Sequence, residues 1–359
     1  MKKKVANPKK WGGVINCIVI ILSLLICMSP LIVKGTRWVC RKRIETIRTE
    51  IAREFPGVVC WGDSLTAGAG GNGTRYPSVL SEKIAEKYAP ISVLNMGVGG
   101  EDTKTILARA GKLPIYVTKD FVIPADTETT VEVQFALEDG SKVTPLRQGN
   151  GGMNPVTING ITGTLQVQQD DIWDTEVAYF FKRAEAGNEQ KVTAGTVIVP
   201  QFASEINDKR ISVIFIGTNG GYASIAHLME QQKMLIESEH YLIIGLTREN
   251  AEKFAEMDAA LEAEFGKRFL NLRKWICENG LERAGLIATD ADRTAIEKGQ
   301  MPPSLMSDGV HFNQHGYQII GEAVFERLDE LGTFDALSQY EGKYDMLTNL
   351  INWLNQLYQ

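Results

Sequence analysis

A few widely spaced residues in this chain could together perform acyl transfer. Ser64 ends "VVCWGDS", so its hydroxyl would stand at the carboxyl end of a short apolar strand. A serine nucleophile needs a base to take its proton, and that base needs a carboxylate to hold its tautomer. The histidines are His227, His240, His311 and His315. His311 lies in "SDGVHFNQHGY", three residues after Asp308, so one turn could supply both base and orienter. A developing oxyanion needs donors. "NMGVGGEDT" offers glycine N–H groups, and "IGTNGG" offers the Asn219 amide at the end of another strand. Asp63 reads as a structural acceptor for loop N–H groups, His315 as a helix-start residue, and His227 and His240 as ordinary surface residues.

A competing signal follows Ser64. Gly68, Gly70 and Gly73 fit G-x-G-x-x-G, the dinucleotide fingerprint. That motif needs its first glycine at the strand end and an acid about 20 residues further on. Here the strand ends near Trp61, the next one ends around Asn95, and Thr74 and Arg75 follow where a P-loop would need lysine. Nucleotide binding is therefore set aside. The glycines read as a flexible loop beside the serine that lets substrate approach closely.

These residues need a scaffold of strand ends. "PGVVCWG", "ISVLNMG", "RISVIFIGTN" and "YLIIGLT" are short apolar runs of the kind that form buried parallel strands. Helical spacing separates them, in "YPSVLSEKIAEKY", "TKTILARAG", "ASIAHLMEQQKMLIE" and "NAEKFAEMDAALEAEFG". Strand alternating with helix predicts a parallel α/β sheet over residues 55–112 and 208–332, the site lying at the carboxyl ends of its strands. Between them, residues 113–207 lose helical periodicity. "TVEVQFAL", "VTINGITGTLQVQ", "EVAYFFKRA" and "GTVIVP" are β runs separated by turn residues, which predict an inserted small barrel or sandwich. Trp173, Tyr179, Phe180 and Phe181 would form its core or, less simply, a sugar-binding face.

Gly62-Asp63-Ser64 with Leu65, Gly97 and Gly100 after Asn95, Gly217-x-Asn219, and Asp308-x-x-His311 resemble, in order, the four blocks of the GDSL/SGNH hydrolases. The resemblance covers the α/β portions. It implies a flavodoxin-like three-layer α/β/α fold and ester hydrolysis with neither metal nor cofactor. By position, Ser64 resembles the nucleophile, His311 the base and Asp308 its orienter. The N–H groups of Ser64 and Gly100 and the side chain of Asn219 resemble the oxyanion hole. Gly220 stands where the family's third block has aspartate, and the β-rich insertion has no counterpart in minimal members.

The charge is distributed unevenly. Residues 1–48 carry eleven Lys/Arg against Glu45 alone, a formal +10; with −6 for the whole chain, the remaining 311 residues carry −16. An acidic body argues against nucleic acid as a partner, since phosphate binding needs a basic face. Behind a basic tail (1–11), residues 12–33 contain no charged residue and are flanked by Trp11 and Trp38. About 20 apolar residues span a bilayer as helix, so this run reads as a transmembrane anchor followed by a basic stalk (34–54). Lysine and arginine lie on both sides of it, so the flanking charges are nearly balanced, and it is the expected function that puts the body outside the cytoplasm. Cys17, Cys27, Cys40, Cys60 and Cys277 show neither metal spacing nor a disulfide framework. Residues 333–359 carry an apolar stripe, Leu347, Leu350, Ile351, Leu354, Leu357 and Tyr358, expected to pack on the body or on a partner or membrane surface. The sequence thus predicts a membrane-anchored serine esterase acting on esters, O-acetylated or cell-wall glycans among them. The same triad could serve an acyltransferase. A surface carbohydrate-binding module is the alternative from another class.

Overall fold

The computed structural model describes residues 9–55, 57–171, 174, 177–205, 210–248 and 250–356. Helix α1 (Lys9–Glu54) joins the apolar run and the stalk in one element. The transmembrane reading of 12–33 rests mainly on side chains outside those described. Among the described residues no helix is long and apolar enough to cross a membrane.

Strand β1 (Val58–Gly62) is buried along its whole length, as a strand covered on both faces must be. Asp63 ends it and caps α2 (Ser64–Ala67), its Oδ1 accepting from the Leu65 N–H at 2.9 Å. Helix α3 (Tyr76–Lys87) has proline in its first turn and buries Val79, Leu80 and Ile84, the predicted face. β2 (Val93–Gly97) and α4 (Thr103–Arg109) follow, the latter capped by Asp102.

The chain then forms β3 (Ile115–Val117), β4 (Phe121–Ile123), β5 (Val131–Glu132), β6 (Phe135–Ala136), β7 (Val156–Ile158), β8 (Ile161–Gln168), β9 (Ala178–Arg183), β10 (Gln190–Val192) and β11 (Val197–Pro200). The alternation in "TVEVQFAL" predicts one strand, but the structure divides it at Val133–Gln134. The reason is a change of partner: β5 pairs with β9, while β6 pairs with β3. Those partners are the two ends of the row β9-β8-β7-β11-β3. One segment therefore pairs with both ends of the row and closes the antiparallel sheet into a small barrel. Ile115, Val117, Val133, Val156, Ile158, Leu165, Phe181 and Ile198 are buried together in its core. Tyr179 belongs to the same cluster, its hydroxyl donating to the Pro145 carbonyl at 2.8 Å. The core reading of these aromatics thus holds for Tyr179 and Phe181; Trp173 lies outside the described residues.

Next come α5 (Gln201–Glu205), β12 (Ile211–Phe215), α6 (Ile225–Met234), β13 (Tyr241–Ile244), α7 (Ala251–Phe265), β14 (Phe269–Leu270), α8 (Leu272–Arg283), α9 (Asp290–Glu297), α10 (Gln314–Glu330) and α11 (Lys343–Gln356). The second sheet runs β14-β13-β12-β1-β2, with every pairing parallel. From β1 the chain first adds β2 on one side and later β12 on the other. Right-handed crossovers in opposite directions put their helices on opposite faces. The helices accordingly pack in two groups, α3 with α10 and α8, and α4 with α6 and α7. The crevice beside β1 is the point where an open sheet of this order places its ligand.

Helix α11 lies along α1. Arg48 donates to the Tyr344 hydroxyl, Arg37 to the Leu354 carbonyl, and Tyr340 bonds Glu50. Ile351 and Leu354 of the predicted stripe are buried there, so packing within the chain accounts for that stripe; Leu357 and Tyr358 lie outside the described residues.

Candidate active site

Ser64 stands at the end of β1 as the first residue of α2. Asn95, near the end of β2, fixes this turn: its Nδ2 donates to the Thr66 carbonyl and its Oδ1 accepts from the Gly97 N–H, both at 2.9 Å. His311 arrives from far downstream. Asp308 Oδ1 accepts from the N–H groups of Val310 and His311 at 2.7 Å each, which curls the intervening residues into a turn. The same carboxylate meets His311 Nδ1 through Oδ2 at 2.8 Å, and His311 Nε2 lies 2.8 Å from Ser64 Oγ. The three side chains expected from sequence therefore form one hydrogen-bonded row. Burial opposes the Asp308 charge, but the N–H groups and the ring outweigh it and hold the carboxyl below its usual range.

The glycines after Ser64 have a role the sequence reading missed. A Cβ on Gly70 would collide with the Ser307 hydroxyl and lie 2.9 Å from the Phe312 carbonyl; one on Gly71 would press on the Tyr317 ring. Tyr317 closes the contact, its hydroxyl donating to the Ala69 carbonyl at 2.8 Å. At Gly70 and Gly71 the glycines let the Ser64 loop dock against the segment that carries His311.

The expected oxyanion donors come from three loops. The N–H groups of Ser64 and Gly100 have no acceptor among the described residues. Gly100 has φ +72°, a left-handed conformation that glycine adopts without strain. Asn219 uses one amide hydrogen on the Glu101 carbonyl at 3.0 Å, which leaves the other for a ligand. Gly220, the departure from the family pattern, closes a turn onto Gly217 and accepts from the Thr103 N–H at 3.1 Å. The site's third loop is thereby tied to the start of α4.

Two buried residues that sequence reasoning did not single out hold these loops. The Arg109 guanidinium donates to the carbonyls of Gly62, Met96 and Gly151 and to the Glu101 carboxylate. It thus joins the ends of β1 and β2 to the barrel's long loop. Burial raises the Glu101 carboxyl, with Arg109 pulling it back. An arginine on the buried face of "TKTILARAG", one turn after Ile106, was the available signal. Asp63, wholly buried beneath Ser64, is pushed up to about 6 by burial. From the barrel side Gln148 overhangs the site: a Cβ on Gly99 would collide with its Oε1. Among the described residues no group of three or more His, Cys, Asp or Glu is placed to hold a metal ion. His227 is half-buried at a helix start, its Nδ1 accepting from the Ala223 N–H, and His240 lies before β13; neither joins the row.

A comparison with curated proteins and one with solved structures found no match. The family profile described as GDSL-like Lipase/Acylhydrolase matches residues 58–324. That span runs from the first residue of β1 into α10 and encloses Ser64, Gly100, Asn219, Asp308 and His311. It covers well over half of the chain, and the chain belongs to the GDSL-like lipase/acylhydrolase family of ester hydrolases.

Proposed function

We propose that the chain is a serine esterase with Ser64 as nucleophile, His311 as base and Asp308 as orienter. The observation that carries this reading is the row Asp308–His311–Ser64, set beside two N–H groups with no acceptor among the described residues. In the proposed cycle His311 Nε2 takes the Ser64 proton as Oγ bonds to the ester carbonyl carbon. The displaced electron pair moves to the carbonyl oxygen, which the N–H groups of Ser64 and Gly100 and the Asn219 amide receive. The oxyanion collapses, the bond to the alcohol breaks, and His311 returns its proton to the departing alcohol. Water then gives a proton to His311 as it attacks the acyl-serine; the acyl–Oγ bond breaks, His311 returns the proton to Ser64 Oγ, and the acid leaves. Asp308 holds the imidazole tautomer and stabilises the imidazolium throughout.

The sheet order and the two helix groups support the flavodoxin-like three-layer reading, with the barrel as its insertion. The uncharged run 12–33, its tryptophan flanks and the exposed Trp38 support a single-pass anchor, and a body outside the cytoplasm rests on the esterase reading rather than on the flanking charges. Acylated glycans, O-acetyl esters among them, suit an exported body, and Gln148 gives the barrel a place at the site. The test is an ester panel from acetyl to long-chain acyl groups, with acetylated glycans, on the full-length protein and its Ser64→Ala variant. Activity confined to the wild type supports the reading, and equal activity in both removes it. Protease accessibility of the body in intact cells tests the orientation.

A further inference from the structure

A cleft of about 430 Å³ opens from the triad on the side of Asp308. Its lining includes Thr247, Arg248, Gln300, Met306 and Ser307 besides Asp308. Thr247 and Arg248 follow the carboxyl end of β13, the same edge of the sheet that carries Ser64 and Asn219. Three observations there concern charge and polarity. First, the exposed Arg248 guanidinium reaches only the Thr218 carbonyl, at 3.5 Å, and has no carboxylate partner among the described residues. Some arginines of the body are paired with carboxylates, Arg109 with Glu101, Arg273 with Asp258 and Arg283 with Glu322 and Glu326, while Arg183 meets only carbonyls. Second, Thr247 is 4% exposed and its buried hydroxyl has no hydrogen-bond partner among the described residues, a polar group left unsatisfied at the cleft wall. Third, the other charge in the cleft, Asp308, is committed: both its oxygens accept from the His311 turn. In a body that is acidic as a whole, a guanidinium with no carboxylate partner among the described residues stands in the cleft beside the catalytic row. Its planar fork matches a carboxylate or phosphate.

We propose that this cleft is a subsite for an anionic group, a carboxylate or phosphate carried on the alcohol portion of the ester, with Arg248 as the residue that recognises it. The inference rests on the esterase reading above. The alcohol is assigned because the departing oxygen takes its proton from His311, and the cleft begins at His311's own partner. The alcohol's body then extends over Asp308 toward Arg248, with Met301, Pro303 and Met306 as the apolar wall.

The experiment uses matched acetyl esters on the full-length protein. Methyl 4-acetoxybenzoate is neutral, 4-acetoxybenzoate carries a carboxylate, and 4-acetoxyphenyl phosphate carries a phosphate. The wild type is expected to favour an anionic ester by about 10- to 100-fold in kcat/KM, mostly through KM, as one charge-assisted contact allows. The larger of the two ratios identifies carboxylate or phosphate. Arg248→Gln should collapse that ratio toward one, and Arg248→Lys should keep part of it, because lysine retains the charge without the fork. Thermal melting of each variant controls for folding. A wild type that cleaves the neutral ester as well as either anionic one overturns the subsite while leaving the esterase reading intact. A ratio unchanged in Arg248→Gln does the same. If the wild type cleaves none of the three, the esterase reading falls and the subsite with it.

Discussion

Arg109 and Glu101 form an ion pair whose side chains are 0% and 2% exposed, directly beneath the loops that carry Ser64 and Gly100. The pair is worth more as geometry than as attraction, since desolvating two charges consumes most of their Coulomb energy. What it provides is a fixed node. Three carbonyls from three segments converge on one guanidinium, and the Glu101 carbonyl in turn holds Asn219. Removing one partner strands the other charge. Arg109→Met is expected to cost about 3–5 kcal/mol of stability, measured by urea unfolding. Arg109→Lys should keep the charge but satisfy fewer acceptors, with a smaller stability loss and a reduced kcat. A loss below about 1 kcal/mol in Arg109→Met would show that the node is not structural.

Much of this site was legible because its chemistry is written in side chains at strand ends. "VVCWGDS" and "SDGVHFNQHGY" announce a serine and a base with its acid, and hydrophobic runs place them at one edge of a sheet. The supporting shell was not legible. Arg109 is marked in sequence only by lying on the buried face of its helix; the three carbonyls that meet it are backbone groups that no residue type reveals. Asn95 was noted for the acid it is not, rather than for the turn it fixes. The barrel's closure was hidden because one alternating segment serves two partners, and alternation shows which face is buried but not which strand lies alongside.

Asp308→Asn tests the proposed orienter. Asparagine keeps an oxygen for the N–H groups of Val310 and His311, so the turn should persist. It removes the charge that stabilises the imidazolium, and a fall of about 10⁴-fold in kcat is expected with little change in KM. The wild-type carboxyl sits below its usual range, so its ionised form is favoured by folding. That contribution is present above the ordinary carboxylate value and is lost only as pH falls through the lower, folded one. Asp308 should thus stay ionised through the range in which an ordinary carboxylate takes up its proton, and an acid limb in or above that range must come from another group. A kcat for Asp308→Asn within tenfold of wild type would remove Asp308 from the mechanism.

Asp63 predicts the opposite pH dependence. Its carboxyl rises from 3.8 to about 6 because burial disfavours the charge. Between those values the folded state binds a proton that the unfolded chain has released, so this group's contribution to stability falls as pH rises. The full swing is on the order of 3 kcal/mol. Asp63→Asn keeps an acceptor for the Leu65 N–H and cannot titrate. Compared with wild type by urea unfolding, the variant should gain by about 2–3 kcal/mol in relative stability between pH 4 and pH 7.5. A difference that stays flat across that range would mean that Asp63 titrates near its ordinary value.

The glycine loop supplies a matched pair of variants that separates strain from docking. Gly70 and Gly73 both have left-handed backbones, φ +81° and +94°, so alanine at either position is strained by about 1 kcal/mol or more. Their surroundings differ. A Cβ at Gly73 meets nothing within 4 Å, whereas one at Gly70 runs into Ser307 and the Phe312 carbonyl, which flank His311 in sequence. Both variants should lose similar stability from strain, but only Gly70→Ala should push the His311 segment away from Ser64. A displacement of 1 Å between base and nucleophile can cost about 100-fold. Gly70→Ala is therefore expected to lower kcat by 10- to 100-fold at temperatures where it remains folded, while Gly73→Ala keeps a kcat near wild type. Equal kcat values in the two variants would show that the loop's glycines serve backbone conformation alone and that His311 is positioned by Asp308 and Tyr317 without them.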